Sequence, residues 1–133
     1  MNILFVCKFN RFRSRVAAAY FNKINKNKKI KARSAGLIRG SPLDKLQIQT
    51  AKSLGINIKG KPLGISTKLL KWQDAIILVS DDVPPALFAD NKKYGKKLIV
   101  WKIPDTQINN KKVVLKIIKS ITNKIDKLVK GAK

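Results

Sequence analysis

The sequence has no histidine and a single cysteine, Cys7. A lone thiol forms no internal disulfide, and without histidine or further cysteines the usual tetrahedral zinc sites are excluded; no metal and no cofactor is expected. Glutamate is also absent, and the seven acidic residues are Asp44, Asp74, Asp81, Asp82, Asp90, Asp105 and Asp126. Acid–base chemistry at neutral pH therefore falls to an aspartate, to Cys7, or to a perturbed Lys or Tyr. Long apolar runs are missing too, and none approaches the ~20 residues that a membrane helix needs. The opening stretch, Met1 to Cys7, is apolar but short. It has no basic leader and no small-residue cleavage site, so it reads as a buried strand and a cytoplasmic location is expected.

Against those seven acids stand 30 Lys and Arg, a net charge of +23 on 133 residues. Such a field steers anionic substrates and supports weak, non-specific polyanion binding. No zinc finger and no aromatic RNA-binding strand accompanies it, so charge alone does not make the chain a nucleic-acid reader. Hydrophobic residues make up 44% of the sequence, enough for a folded core. With no repeat and no linker, residues 1–133 read as one domain. The sequence leaves the oligomeric state open.

Strand-like and helix-like segments alternate. Ile3 to Val6 is a continuous apolar run of the kind found in buried parallel strands, and it ends at Cys7. After Arg13, residues Val16, Ala17, Tyr20, Phe21 and Ile24 recur at helical spacing. Lys29 to Arg33 reads as a second strand closed by Ser34-Ala35-Gly36. A second helix is expected to open at Ser41-Pro42-Leu43-Asp44, run through Leu46, Ile48, Ala51 and Leu54, and stop at Gly55. A short helix from Ser66 or Thr67 to Trp72 precedes the strongest strand, Ala75 to Val79. Val83 to Phe88 suggests a short helical piece, and Leu98 to Ile103 a fourth strand. The last helix presents Val114, Ile117, Ile118, Ile121, Ile125, Leu128 and Val129 on one face and mostly lysine on the other. The pattern predicts an α/β fold: a four-stranded parallel sheet flanked by helices on both faces, with a phosphate-binding loop after strand 1. In such sheets the reactive site lies at the carboxyl ends of the strands. Cys7, Ser80-Asp81-Asp82 and Pro104-Asp105 all fall at such ends.

The segment Cys7-Lys8-Phe9-Asn10-Arg11-Phe12-Arg13-Ser14 sits between strand and helix. A loop of this length can wrap its backbone N–H groups around one tetrahedral anion, with the positive end of the next helix aimed at the same point. Lys8, Phe9, Asn10, Arg11, Phe12, Arg13 and Ser14 are thus the candidate substrate-binding set. The planar fork of Arg13 suits two oxygens of that anion. Cys7 would lie beneath the phosphorus, where the same donors favour its thiolate form. Ser14 can donate a hydrogen bond to that sulfur. An arginine at a helix N-terminus is opposed by the helix dipole, so an anion between them is a better account than a bare surface charge.

These features resemble the low-molecular-weight protein tyrosine phosphatase family, which also includes arginine phosphatases and thioredoxin-coupled arsenate reductases. The shared features run in order along nearly the whole chain: the strand and Cys7…Asn10…Arg13-Ser14, then Ser34-Ala35-Gly36, Gly55-Ile56-Asn57, Ser66-Thr67…Asp74-Ala-Ile-Ile-Leu, and an Asp after the fourth strand. The resemblance implies that Cys7 is the nucleophile, Arg13 the phosphate ligand and Asp105 the general acid. It implies that Asn10 holds the loop in a left-handed turn, supported by Ser34. Asp105 also qualifies on position alone, at a strand end sharing an edge with Cys7; Asp81 and Asp82 are its rivals there.

The chain departs from the family pattern where the substrate would be held. Phe9 replaces a frequent Gly, and Phe12 a frequent Cys. Gly60 stands where many members have a histidine that supports the loop Asn. Thr106 replaces the Pro after the catalytic Asp, and Gln107 an aromatic wall. Phe9 and Phe12 are candidates for apolar walls, although Phe12 suits the core equally well. Arg11 adds positive charge that disfavours phosphoarginine. The expected activity is hydrolysis of a phosphorylated protein or small anionic phosphate ester through a phosphocysteine. Arsenate reduction with an external thiol and a non-enzymatic polyanion-binding module are the alternatives.

Overall fold

The computed structural model describes residues 1–38, 40, 45–58, 60–104 and 110–131. Strands β1 (Asn2–Cys7), β2 (Lys31–Gly36), β3 (Ala75–Val79) and β4 (Lys97–Trp101) form one sheet in the order β2-β1-β3-β4. Every neighbouring pair is parallel. Helices α1 (Arg13–Ile24), α2 (Lys45–Ser53), α3 (Thr67–Trp72), α4 (Asp90–Lys93) and α5 (Lys111–Gly131) join and follow them, with a 3-10 turn at Pro85–Phe88.

Both faces of the sheet are covered, which is why its central strands are apolar at consecutive positions. Ile3, Phe5, Ile77 and Val79 pack on one side against Val16, Ala17 and Phe21 of α1 and Val114, Ile117, Ile118, Ile121 and Ile125 of α5. Leu4, Val6, Ile76 and Leu78 pack on the other against Leu69, Val83 and Phe88. Tyr20 donates to Asp126 at 2.7 Å and ties α1 to α5. That hydrogen bond, together with burial and the charge of Asp126, pushes the phenol up to about 12.

Several boundaries differ from those the sequence suggests. β2 begins at Lys31 and runs through Ser34-Ala35-Gly36, which looked like its terminator. The ladder with β1 continues to the pair Cys7–Gly36, and Gly36 also bridges to Gly64. β4 ends at Trp101, and Ile103 lies buried beyond it. Helix α4 follows the 3-10 turn where no helix was expected. α2 buries Gln47, Thr50 and Ala51 and is followed by Leu54, 42% exposed, so of the expected face Leu46, Ile48, Ala51 and Leu54 only Ala51 is buried. Its stop is the expected one. Gly55 adopts φ +77, Gly55 N–H donates to Lys52 O, and Ile56 N–H donates to Ala51 O, closing the helix in a Schellman turn with Ile56 buried. The expected helix start at 41–44 lies outside the described residues. α3 starts as predicted: Ser66 Oγ accepts from Leu69 N–H at 3.2 Å and caps it.

Candidate active site

Between β1 and β3 the chain order reverses, which makes their carboxyl ends the topological switch point of the sheet. Cys7 closes β1 there, 2% exposed, and Ser80 follows β3. Residues 8–12 form an irregular loop from β1 into α1. The N-cap position of α1, Phe12, makes no side-chain cap, and the first turn holds no acid. The positive end of this helix therefore lacks the internal neutralisation that Ser, Asp or Glu commonly supplies.

Asn10 organises the loop. It has φ 53, a left-handed conformation that asparagine tolerates better than most residues. Its Oδ1 accepts from Leu63 N–H at 2.8 Å, which fixes the orientation of the amide. Nδ2 then donates to Ser14 Oγ at 2.8 Å and to Ser34 Oγ at 3.0 Å. The same Ser14 Oγ is hydrogen-bonded to Cys7 Sγ, 3.0 Å away.

Arg13 is 3% exposed and crosses to the β3 side of the switch point. Nη1 donates to Ile103 O at 2.9 Å and Ser80 Oγ at 3.2 Å. Nη2 reaches both carboxylate oxygens of Asp82, at 3.1 and 3.2 Å. Asp81 Oδ1 lies 3.8 Å from Nη1. Ser80 Oγ in turn donates to Asp82. Burial pushes the Asp82 carboxyl up, but the Ser80 hydroxyl and the Arg13 charge outweigh it and hold Asp82 below the usual carboxylate range. Asp81 and Asp82, considered above as rival acids, are ion-pair partners of Arg13 among the described residues. Sequence position placed them at the right sheet edge; their pairing with Arg13 was not legible there.

The remaining loop residues divide by environment. Lys8 Nζ sits 5.2 Å from the centroid of the half-buried Phe9 ring. Phe12 is only 4% exposed and belongs to the core cluster with Ile3, Phe5 and Val16, so its ring is not a pocket wall. Leu37, Ile38 and Gly40 donate their backbone N–H groups to Cys7 O, Lys8 O and Phe9 O at 2.9–3.0 Å. These bonds carry the β1–β2 pairing onward over the loop. Asp105 lies outside the described residues. Two contributors were missed by the sequence reading: the Leu63 amide on Asn10, and Arg15, a buried arginine beside the loop.

The family model for low molecular weight phosphotyrosine protein phosphatase matches residues 2–129. The chain belongs to that family. Among solved structures it resembles the low molecular weight protein tyrosine phosphatase from T. tengcongensis at 25% identity and TM-score 0.84, with 98% of this chain and 99% of that one covered. It also resembles an arsenate reductase from Archaeoglobus fulgidus at 26% identity and TM-score 0.76, covering 96% and 98%. The YwlE arginine phosphatase from Geobacillus stearothermophilus shares the fold at 22% identity and TM-score 0.82, covering 98% and 92%. A search of curated proteins finds no sequence match. Family neighbours thus include phosphatases and an arsenate reductase, so family membership alone does not select the reaction.

Proposed function

We propose that the protein is a cysteine-dependent phosphomonoesterase. The observation that carries this reading is a buried Cys7 at the end of β1, with Sγ 3.0 Å from Ser14 Oγ and a buried Arg13 at the other end of the same loop. In the thiolate form the sulfur can only accept, and the Ser14 hydroxyl then stabilises it as attacking group and again as leaving group. In the reaction we infer, the thiolate attacks phosphorus and the phosphorus–oxygen bond to the leaving group breaks. The loop N–H groups and Arg13 stabilise the equatorial oxygens. Asp105 gives its proton to the departing oxygen, then takes one from the water that hydrolyses the phosphocysteine and releases phosphate. The net result is an alcohol or phenol and inorganic phosphate. The substrate is a phosphorylated protein or a small anionic phosphate ester, handled in the cytoplasm.

A second reading, arsenate reduction, has one observation in its favour: the likeness to the Archaeoglobus fulgidus arsenate reductase. With Cys7 as its sole cysteine, the chain lacks the further thiols of an internal disulfide relay. Only an external thiol could complete that cycle. The discriminating experiment is turnover of a generic aryl phosphate, and of arsenate with a small thiol, by wild type and Cys7→Ser. Aryl phosphate turnover that Cys7→Ser abolishes, with vanadate binding retained, is the expected result. Wild-type turnover in the serine variant would remove the nucleophile role.

A further inference from the structure

We propose that Arg15 is a positioning residue that fastens the segment from Gly60 to Gly64 against the loop, so that the Leu63 amide stays on Asn10 and the loop keeps its anion-binding shape. The inference rests on the reading of residues 7–14 as an anion-binding loop. Arg15 lies in the first turn of α1 and is 7% exposed. An arginine there is opposed both by the helix dipole and by the cost of burying a charge. A surface lysine or a small apolar residue would carry neither cost, so the position calls for a compensating contact. The structure supplies one: Nη2 donates to Gly60 O at 2.7 Å, across 45 residues of sequence.

Gly60 has φ +87, yet no atom lies within 4 Å of where a Cβ would stand. Glycine is required there by backbone conformation and not by space, and that conformation aims the carbonyl at Arg15. Between Gly60 and Gly64 only Pro62 is buried, and Leu63 is 54% exposed. Apolar burial therefore does little to hold the segment. Its polar attachments among the described residues include Gly36 N–H to Leu63 O at 2.8 Å, Ile65 N–H to Gly36 O at 2.9 Å, Leu63 N–H to Asn10 Oδ1 at 2.8 Å, and Arg15 to Gly60. The first two tie it to β2, the third to the loop, and the last to the helix that begins at the loop's end.

Asn10 depends on this bracing. If Leu63 N–H withdraws, Oδ1 loses the bond that orients the amide, and Nδ2 is no longer fixed on Ser14 and Ser34. The left-handed turn at Asn10 then loses the surroundings that over-determine it. Burial pushes the Arg15 guanidinium down from its usual value, while the charge of Cys7 opposes this. The bracing of Asn10 thus passes from Arg15 through the backbone of residues 60–63.

The test uses the full chain with Arg15→Met, which keeps the apolar stem and loses the donors, and Arg15→Lys, which keeps a cationic donor. Inorganic phosphate affinity and the hydrogen-exchange rate of the Leu63 amide are read without turnover, so they report even if no ester is hydrolysed. Arg15→Met is expected to weaken phosphate binding about tenfold and to speed Leu63 exchange by a similar factor, as loss of a charge-assisted hydrogen bond implies. Arg15→Lys should recover most of both. A double variant with Leu63→Pro, which removes the amide, should lose little more affinity than Leu63→Pro alone, because both changes break one path. Should Arg15→Met fail to fold, Gly60→Ala turns the carbonyl and leaves Arg15 in place, and it is expected to weaken phosphate binding several-fold for the same reason. Wild-type phosphate affinity and Leu63 exchange in the folded variants, or fully additive losses in the double variant, would overturn the proposal. A wild type that exchanges Leu63 slowly but hydrolyses no ester would count against the phosphatase reading and leave this inference standing.

Discussion

Asp82 shows how single side chains set the site's electrostatics. Its carboxylate, 32% exposed, takes two contacts from Arg13 and one from Ser80. The folded state holds it below its ordinary value of 3.8. A depressed carboxylate contributes stability that is present above the unfolded value and is lost as pH falls through the folded value. Acid unfolding below pH 3.8 should therefore carry an Asp82 component. Asp82→Asn should flatten that limb and cost about 2 kcal/mol at neutral pH. This is less than the ~3–5 kcal/mol of breaking a fully buried pair, because water and Asp81 still screen Arg13. Urea denaturation across pH checks it; an unchanged acid limb would show that the pair does not set it. At this scale the sequence was partly legible. Cys7, Arg13 and Ser14 are contiguous and carry their own spacing signal. Asp82 and Arg15 act across 69 and 45 residues, through contacts that exist only once the sheet and the residues 60–63 are assembled.

Among the elements, the close approach of β2 to the loop is the most exacting contact. A Cβ on Gly36 would stand 2.6 Å from Asn10 N and Phe9 C and 2.7 Å from Ile38 O, all of them backbone. None of these can swing aside as a flexible side chain would. Gly36→Ala should cost about 1–3 kcal/mol as overpacking does, and should weaken phosphate binding because the loop must move. A folded Gly36→Ala protein with unaltered phosphate affinity would contradict the close docking of β2 on the loop. The same contact explains why β2 was misread from sequence. Ser-Ala-Gly has turn composition, but here Ser34 bonds Asn10, Ala35 packs in the core, and Gly36 lets the backbones of β2 and the loop meet. By contrast β3 and α5 were legible because a buried apolar run and a long one-sided helix reflect burial alone. The exposed Leu54 was misassigned because α2 turns Gln47 and Thr50 inward instead.

For the whole molecule, the excess of 30 basic over 7 acidic residues is the dominant property. On α5, Lys112, Lys116, Lys119, Lys127 and Lys130 are all exposed, and its single acid, Asp126, is bonded to Tyr20. Long-range attraction should raise the capture rate of anionic substrates at low salt and be screened over a Debye length of about 8–10 Å near physiological salt. kcat/KM should thus fall as ionic strength rises, most for multiply charged phosphate esters, while kcat changes little. Steady-state kinetics across a salt series tests this; salt-independent kcat/KM for a polyanionic ester would contradict it.

The central claim is that Cys7 carries the phosphoryl group between the two steps. Its most direct test is an acid quench during steady-state turnover of an aryl phosphate, followed by mass spectrometry of the peptide containing Cys7. The account predicts one phosphoryl group on Cys7, formed in a burst stoichiometric with enzyme and absent from Cys7→Ser. Sustained turnover with no adduct on Cys7 at any time point, or with the adduct on another residue, would contradict it.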